Sequence, residues 1–179
     1  ALAGLKSEGM QDLVLDLGGN GGGYMDVAIK LADQFLDDRK IIVYTEGNAR
    51  QRQEYRASKG GLCKDIEVVV LIDEGSASAS EILAGAIQDN DRGTIIGRRS
   101  FGKGLVQEQN MLQDGSAIRL TIARYYTPTG RSIQKPYENG NEDEYYHELS
   151  DRYLHGEYSE KDSIKFNDSL KYITPGGKI

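Results

Sequence analysis

The 179-residue chain has two histidines and a single cysteine, Cys63, and it lacks both a positive charge balance and a long apolar run. One cysteine excludes a disulfide framework and a cysteine-built metal site, and it leaves the redox compartment open. No apolar run approaches the roughly 18 residues that a membrane-spanning helix needs. A net charge of −6 argues against a nucleic-acid partner, which would require a basic surface. Both histidines, His147 and His155, lie in an acidic segment near the end, so a histidine base is scarce elsewhere. The opening "ALAGLKSEG" has no initiator Met, signal peptide or clean helix cap, which is the expectation for a piece of a longer chain.

What is present reads as one ordinary globular domain with an unusual tail. A hydrophobic fraction of 38% and a charged fraction of 28% suffice for a buried core at this length. Residues 136–179 hold ten acidic and five basic side chains and six of the eleven tyrosines. That segment is read as an acidic, tyrosine-rich insertion or appendage, with "EDEYYHELSDRYLHGEY" as an exposed helix. Residues 1–135 read as the compact unit. Short apolar runs predict strands at 12–17, 40–46, 66–72 and 94–97, with further strands at 105–112 and 117–127. Apolar residues at helical spacing predict helices over 25–37 and 78–89. The polar stretch 47–65 has no period to assign. Strands alternating with helices imply an α/β fold with a parallel or mixed sheet flanked by helices.

Three features within this unit bear on chemistry. The cluster "GGNGGG" (18–23) follows a strand and precedes a helix, an arrangement that offers positive-φ backbone and amides to an anion. It does not match a nucleotide fingerprint, because Tyr24 stands where the third glycine belongs, and "FGKG" lacks the Ser or Thr of a phosphate loop. "DEGSASASEILAGAIQDN" (73–90) then places Ser76, Ser78 and Ser80 at alternate positions before a helical pattern. A serine there profits from the helix dipole and free amides. Equally, it serves as a helix cap, and Glu81 three residues after Ser78 fits a capping box. Lastly, Lys103 lies between two glycines beside Phe101. A desolvated lysine is the alternative to histidine as a base for serine, whereas most lysines are solvated.

Taken together, "DLVLDLGGNGGG", "VVVLIDEGSASASEILAGAIQD", "GRRSFGKGLVQ" and "DGSAIRLTIARYYTPTGRSIQ" resemble, in order and spacing, the carboxy-terminal processing (tail-specific) serine peptidases over about residues 5–135. The resemblance implies a crotonase-like fold, of the kind shared with ATP-dependent protease subunits. It implies Ser78 as nucleophile and Lys103, 25 positions later, as general base. Gln107 matches the residue that orients the lysine, a role that needs the chain to bend near Gly104, since a straight strand separates i and i+4 by roughly 13 Å. The oxyanion hole maps onto the backbone amides of Gly23 and Ala79, and Asp89 matches a position that matters in some members. Ser76 and Ser80 are then small neighbours of the nucleophile. No metal or cofactor is implied. Polypeptide substrates cut near their C-termini are implied, as are a peptide-binding PDZ module elsewhere in the full-length chain and an extracytoplasmic setting, periplasmic or cell-envelope. Gly18 and Gly21 depart from the arginine and proline usual in the first loop. The rival readings are a catalytically silent ligand- or peptide-binding domain of the same fold and an acyl-CoA enzyme of the crotonase type.

Overall fold

The computed structural model describes residues 1–136, 142–160 and 171–179. Parts of the 136–179 segment, residues 137–141 and 161–170, therefore lie outside the described residues. Two sheets form the scaffold. Strands β1 (Asp12–Asp16), β4 (Glu67–Ile72) and β5 (Thr94–Gly97) pair in parallel in the order β1-β4-β5. Strands β2 (Ile41–Gly47), β3 (Arg50–Arg56), β6 (Leu105–Met111) and β7 (Ala117–Tyr126) form an antiparallel sheet in the order β3-β2-β7-β6. Among the described residues four helices accompany them: α1 (Leu2–Ser7), α2 (Met25–Asp33), α3 (Ala79–Asp89) and α4 (Glu142–Leu154).

Helix α3 is the centre of the fold. It packs against α2, β2 and β5, and its apolar set Ile82, Leu83, Ala86 and Ile87 is at most 2% exposed. Each large member contributes on the order of 1.5–3 kcal/mol by leaving water. Val68 and Val70 of β4 complete the same core with Phe35, Leu36 and Ile42. The strand β4 delivers the chain straight into the N-terminus of α3, so the parallel sheet aims the serine segment at one end of the domain.

Three elements differ from the sequence expectation. Helix α2 ends at Asp33 instead of running to 37, because its last turn tightens, with the Phe35 amide on the Ala32 carbonyl, and the Gln34 carbonyl accepts from Cys63 outside the helix. Strand β3 forms in the stretch without a period. All but one of its residues are exposed, so pairing with β2 and side-chain contacts stand in for burial: Arg52 lies 3.7 Å over the Tyr44 ring and pairs with Glu54. Helix α1, six residues long, was not expected at all. Among the described residues no helix is long and apolar enough to cross a membrane.

Candidate active site

The three serines separate cleanly by what holds them. Ser76 is fully buried; its hydroxyl donates to the Leu17 carbonyl at 2.7 Å and accepts the Asp73 amide at 2.9 Å. Ser80 is also buried, and its hydroxyl donates to the Asn20 carbonyl at 3.0 Å. Both therefore fasten the start of α3 to the end of β1 and the glycine loop. Ser78 differs from both. It is part-exposed, and its backbone has φ 57° and ψ −113°. A helix cap ordinarily takes extended backbone, and a non-glycine residue held in this region costs about 1–3 kcal/mol. Strain of that kind at a serine between strand and helix is the geometry that lifts a nucleophile out of the chain.

The glycine loop explains its own composition at Gly22. With φ 97°, a Cβ there would lie 2.5 Å from the Ala77 carbonyl oxygen, 2.8 Å from the Ala79 nitrogen and 2.8 Å from the Ser78 Cβ. No side chain fits, so the loop passes directly against the serine turn. The Gly22 amide is already committed to Asn20 Oδ1 at 2.9 Å. The next residue, Gly23, has open space around it. Ala79 is the first residue of α3, a position whose amide has no carbonyl partner within the helix.

Asp73 staples this corner together. One of its carboxylate oxygens, Oδ1, accepts the amides of Gly19 at 2.8 Å, Gly75 at 2.9 Å and Ser76 at 3.1 Å. These bonds, the Gly19 amide foremost, hold its pKa below the ordinary value against the opposing pull of partial burial. The carboxylate spans the loop after β1 and the loop after β4 in a single group.

Lys103 reaches the same neighbourhood by an unexpected route. Glu81, 6% exposed, accepts the Ser78 amide on Oε2 at 2.8 Å and the Lys103 amide on that same oxygen at 2.9 Å. Its other oxygen takes the Ser100 hydroxyl at 2.7 Å and the Gly102 amide at 2.6 Å. One buried carboxylate thus brings the backbones of Ser78 and Lys103 together. The capping-box spacing pointed to the Ser78 half of this; the half that lies 19 to 22 residues away carried no sequence signal. On the far side of the loop, Gly102 has φ 87°, and a Cβ would sit 2.8 Å from that of Lys135. The Lys103 side chain itself is exposed, so the geometry of the chain, not burial, places it.

Gln107 and Asp89 stand further out. The Gln107 amide donates to Thr121 Oγ1 of the adjacent strand at 3.4 Å, just after a register irregularity between Val106 and Gln107. Asp89, 1% exposed, accepts the Thr129 hydroxyl at 2.6 Å and the Thr129 amide at 3.1 Å, which fixes the "TPTGR" turn behind α3. His147 and His155 are both exposed on and just after α4. The assembled corner holds a strained serine hydroxyl, a helix-start amide, an open glycine and a lysine whose backbone shares the serine's anchor. Those are the parts that acyl transfer uses.

Comparisons with known proteins identify the family. A model of peptidase family S41 matches residues 1–142. The carboxyl-terminal-processing protease of Synechocystis sp. is 44% identical over 135 residues, 75% of this chain and 31% of its own. The carboxy-terminal-processing protease of Bartonella bacilliformis is 45% identical over 130 residues, 73% of this chain and 30% of its own. Among solved structures, a photosystem II D1 C-terminal processing protease superposes with a TM-score of 0.70 at 41% identity, covering 75% of this chain and 34% of that one. A lipoprotein from Streptococcus agalactiae shares the fold with a TM-score of 0.60 at 18% identity. The mixed α/β architecture, one parallel and one antiparallel sheet, is thus that of the matched protease structures. The chain spans about a third of the length of the three processing proteases named here.

Proposed function

The chain belongs to peptidase family S41, and on that premise we propose that it forms the catalytic core of a serine endopeptidase that cleaves polypeptides near their C-termini. The observation that carries the reading is the strained Ser78 backbone tied through Glu81 to the Lys103 amide. In this mechanism the neutral Lys103 amine accepts the Ser78 hydroxyl proton as Oγ bonds to the scissile carbonyl carbon. The amides of Ala79 and Gly23 receive the oxyanion; Gly22 is the poorer donor because Asn20 already holds its amide. Collapse breaks the C–N bond, and the lysine passes its proton to the departing amine. Water then gives a proton to Lys103 and attacks the acyl carbon, which frees the product acid and restores Ser78.

A lysine acts as a base only when removed from water. The exposed Lys103 side chain therefore calls for a bound polypeptide, or another part of the protein, to cover it during turnover. Gln107 would orient it only after rotating from Thr121. The crotonase-like fold class, an accompanying PDZ module and an extracytoplasmic setting belong to the same proposal and rest on the family resemblance. Asp89 supports the site from behind, through the 127–131 turn. The silent binding-domain reading leaves the strain at Ser78 without a purpose.

The test is the rate of peptide hydrolysis against pH for wild type, Lys103→Arg, Lys103→Ala, His147→Ala and His155→Ala. Both lysine variants lose turnover, since a guanidinium stays protonated, and both histidine variants keep it. Robust turnover by Lys103→Arg at any of these pH values rules the Ser–Lys mechanism out.

A further inference from the structure

The residues that follow position 135 carry a second layer of support for the lysine loop. Helix α4 supplies Glu148 and Arg152, and the turn after it supplies Glu157. Arg152 is 3% exposed, an uncommon setting for a guanidinium unless it is fully paired. It donates to Glu157 Oε1 at 2.9 Å, to the Ser100 carbonyl at 3.2 Å and to the Arg99 carbonyl. Arg99 meets the same Glu157 with two bonds of 2.9 and 3.0 Å and lies 3.2 Å from Glu148. Glu148 in turn accepts from Lys135 Nζ at 2.9 Å. The row Lys135, Glu148, Arg99, Glu157, Arg152 therefore alternates in sign along its length. Lys135 adds a further grip, with its ammonium 4.6 Å from the Phe101 ring centroid and its amide on the Gly102 carbonyl.

Exposed ion pairs contribute little, but this row is not exposed at its ends. The side chains of Lys135, Glu157 and Arg152 retain 10%, 12% and 3% of their accessible surface. The bonds fall on the carbonyls of residues 99, 100 and 102, whereas Glu81 takes the amides of 102 and 103. The loop is thus held on both edges of its backbone. A cleft of about 150 Å³, lined by Glu81, Gly85, Gln88, Thr127 and Arg131, meets the loop at Ser100. With the Lys103 side chain exposed, its approach to Ser78 depends on where these two grips set the backbone.

We propose that Arg152, seated by Glu157, is a positioning residue for Lys103, so that the segment after residue 135 completes the working geometry of the site. The proposal rests on the Ser78–Lys103 reading. A planar fork that reaches two carbonyls and a carboxylate at once is a task for arginine, which an ammonium does not reproduce.

The test uses the full-length protein with Arg152→Ala, Arg152→Lys and Glu157→Gln, and reads kcat and KM on a peptide together with hydrogen exchange across 98–104 and α3. Arg152→Ala is expected to lower kcat roughly 10- to 100-fold, with KM changed by less than about twofold. Exchange should quicken at 100–104 and stay at the wild-type rate in α3. Arg152→Lys and Glu157→Gln should show the same pattern to a smaller degree, and methylguanidinium in the buffer should recover part of the kcat lost by Arg152→Ala. Wild-type kcat with unchanged exchange at 98–104 in Arg152→Ala overturns the proposal. So does a loss in Arg152→Ala that spreads equally through α3 while the two milder variants behave as wild type. A failure of the underlying reading shows itself elsewhere, as turnover that survives Ser78→Ala or Lys103→Ala, and the exchange comparison still decides whether Arg152 holds the loop.

Discussion

Around Ser78 the supports are backbone groups and short side chains of the core: the Ser76 and Ser80 hydroxyls, the Gly22 approach, and the Asp73 carboxylate on three amides. Around Lys103 they are long charged side chains, Arg99, Lys135, Arg152, Glu148 and Glu157, three of which come from beyond residue 135. The two halves differ in how they lose order. Short, backbone-directed bonds resist salt and give way with the fold, whereas a row of charges can be loosened one member at a time. The lysine half is therefore the part of the site that conditions can adjust.

Glu81 joins the halves, so its loss should have the largest effect. Glu81→Gln leaves a single acceptor oxygen for four donors and turns an amide NH2 toward two of them. Each buried donor left without a partner costs about 1–3 kcal/mol, and a displacement of Lys103 by roughly an ångström lowers kcat on the order of 100-fold. The melting temperature should fall by several degrees, by about 2–4 °C per kcal/mol. Near-wild-type kcat in Glu81→Gln would show that the two halves do not need this joint.

A smaller effect separates the serine half by pH. The folded pKa of Asp73 lies below its ordinary 3.8, mainly through the Gly19 amide. A depressed carboxylate stabilises the fold fully above its unfolded pKa and loses that contribution as pH falls through the folded one. Asp73→Asn should then be less stable than wild type by about 1 kcal/mol at neutral pH, after allowance for its partial exposure. The gap should begin to narrow below about pH 3.8 and close as pH falls through the lower folded value. Denaturant melts of the two proteins between pH 2 and 7, roughly the window in which carboxylates titrate, would check it. A gap that persists unchanged at the acid end would assign the loss to packing instead of charge.

Legibility followed the same divide. Strand β4 and helix α3 could be read because apolar runs and helical spacing are local signals, and the family because its serine and lysine motifs are short and specific. Strand β3 was missed because "RQRQEYR" is an edge strand with polar residues on both faces, so it carries no period. The long-range role of Glu81 was hidden behind an i to i+3 spacing that also describes a plain helix cap. Arg152 lay in a segment rich in charge and tyrosine, where one guanidinium bound for the interior looks like its exposed neighbours. Helix periodicity reports burial of apolar faces, and α4 is anchored by ions instead.

The account turns on Ser78 being the one reactive serine, and a serine-directed phosphonate tests that most directly. Mass spectrometry of the labelled full-length protein should place a single adduct on Ser78. Labelling should vanish in Ser78→Ala, together with peptide cleavage, and persist in Ser76→Ala and Ser80→Ala. An adduct on Ser76 or Ser80, or cleavage that survives Ser78→Ala in a purified sample, would contradict it.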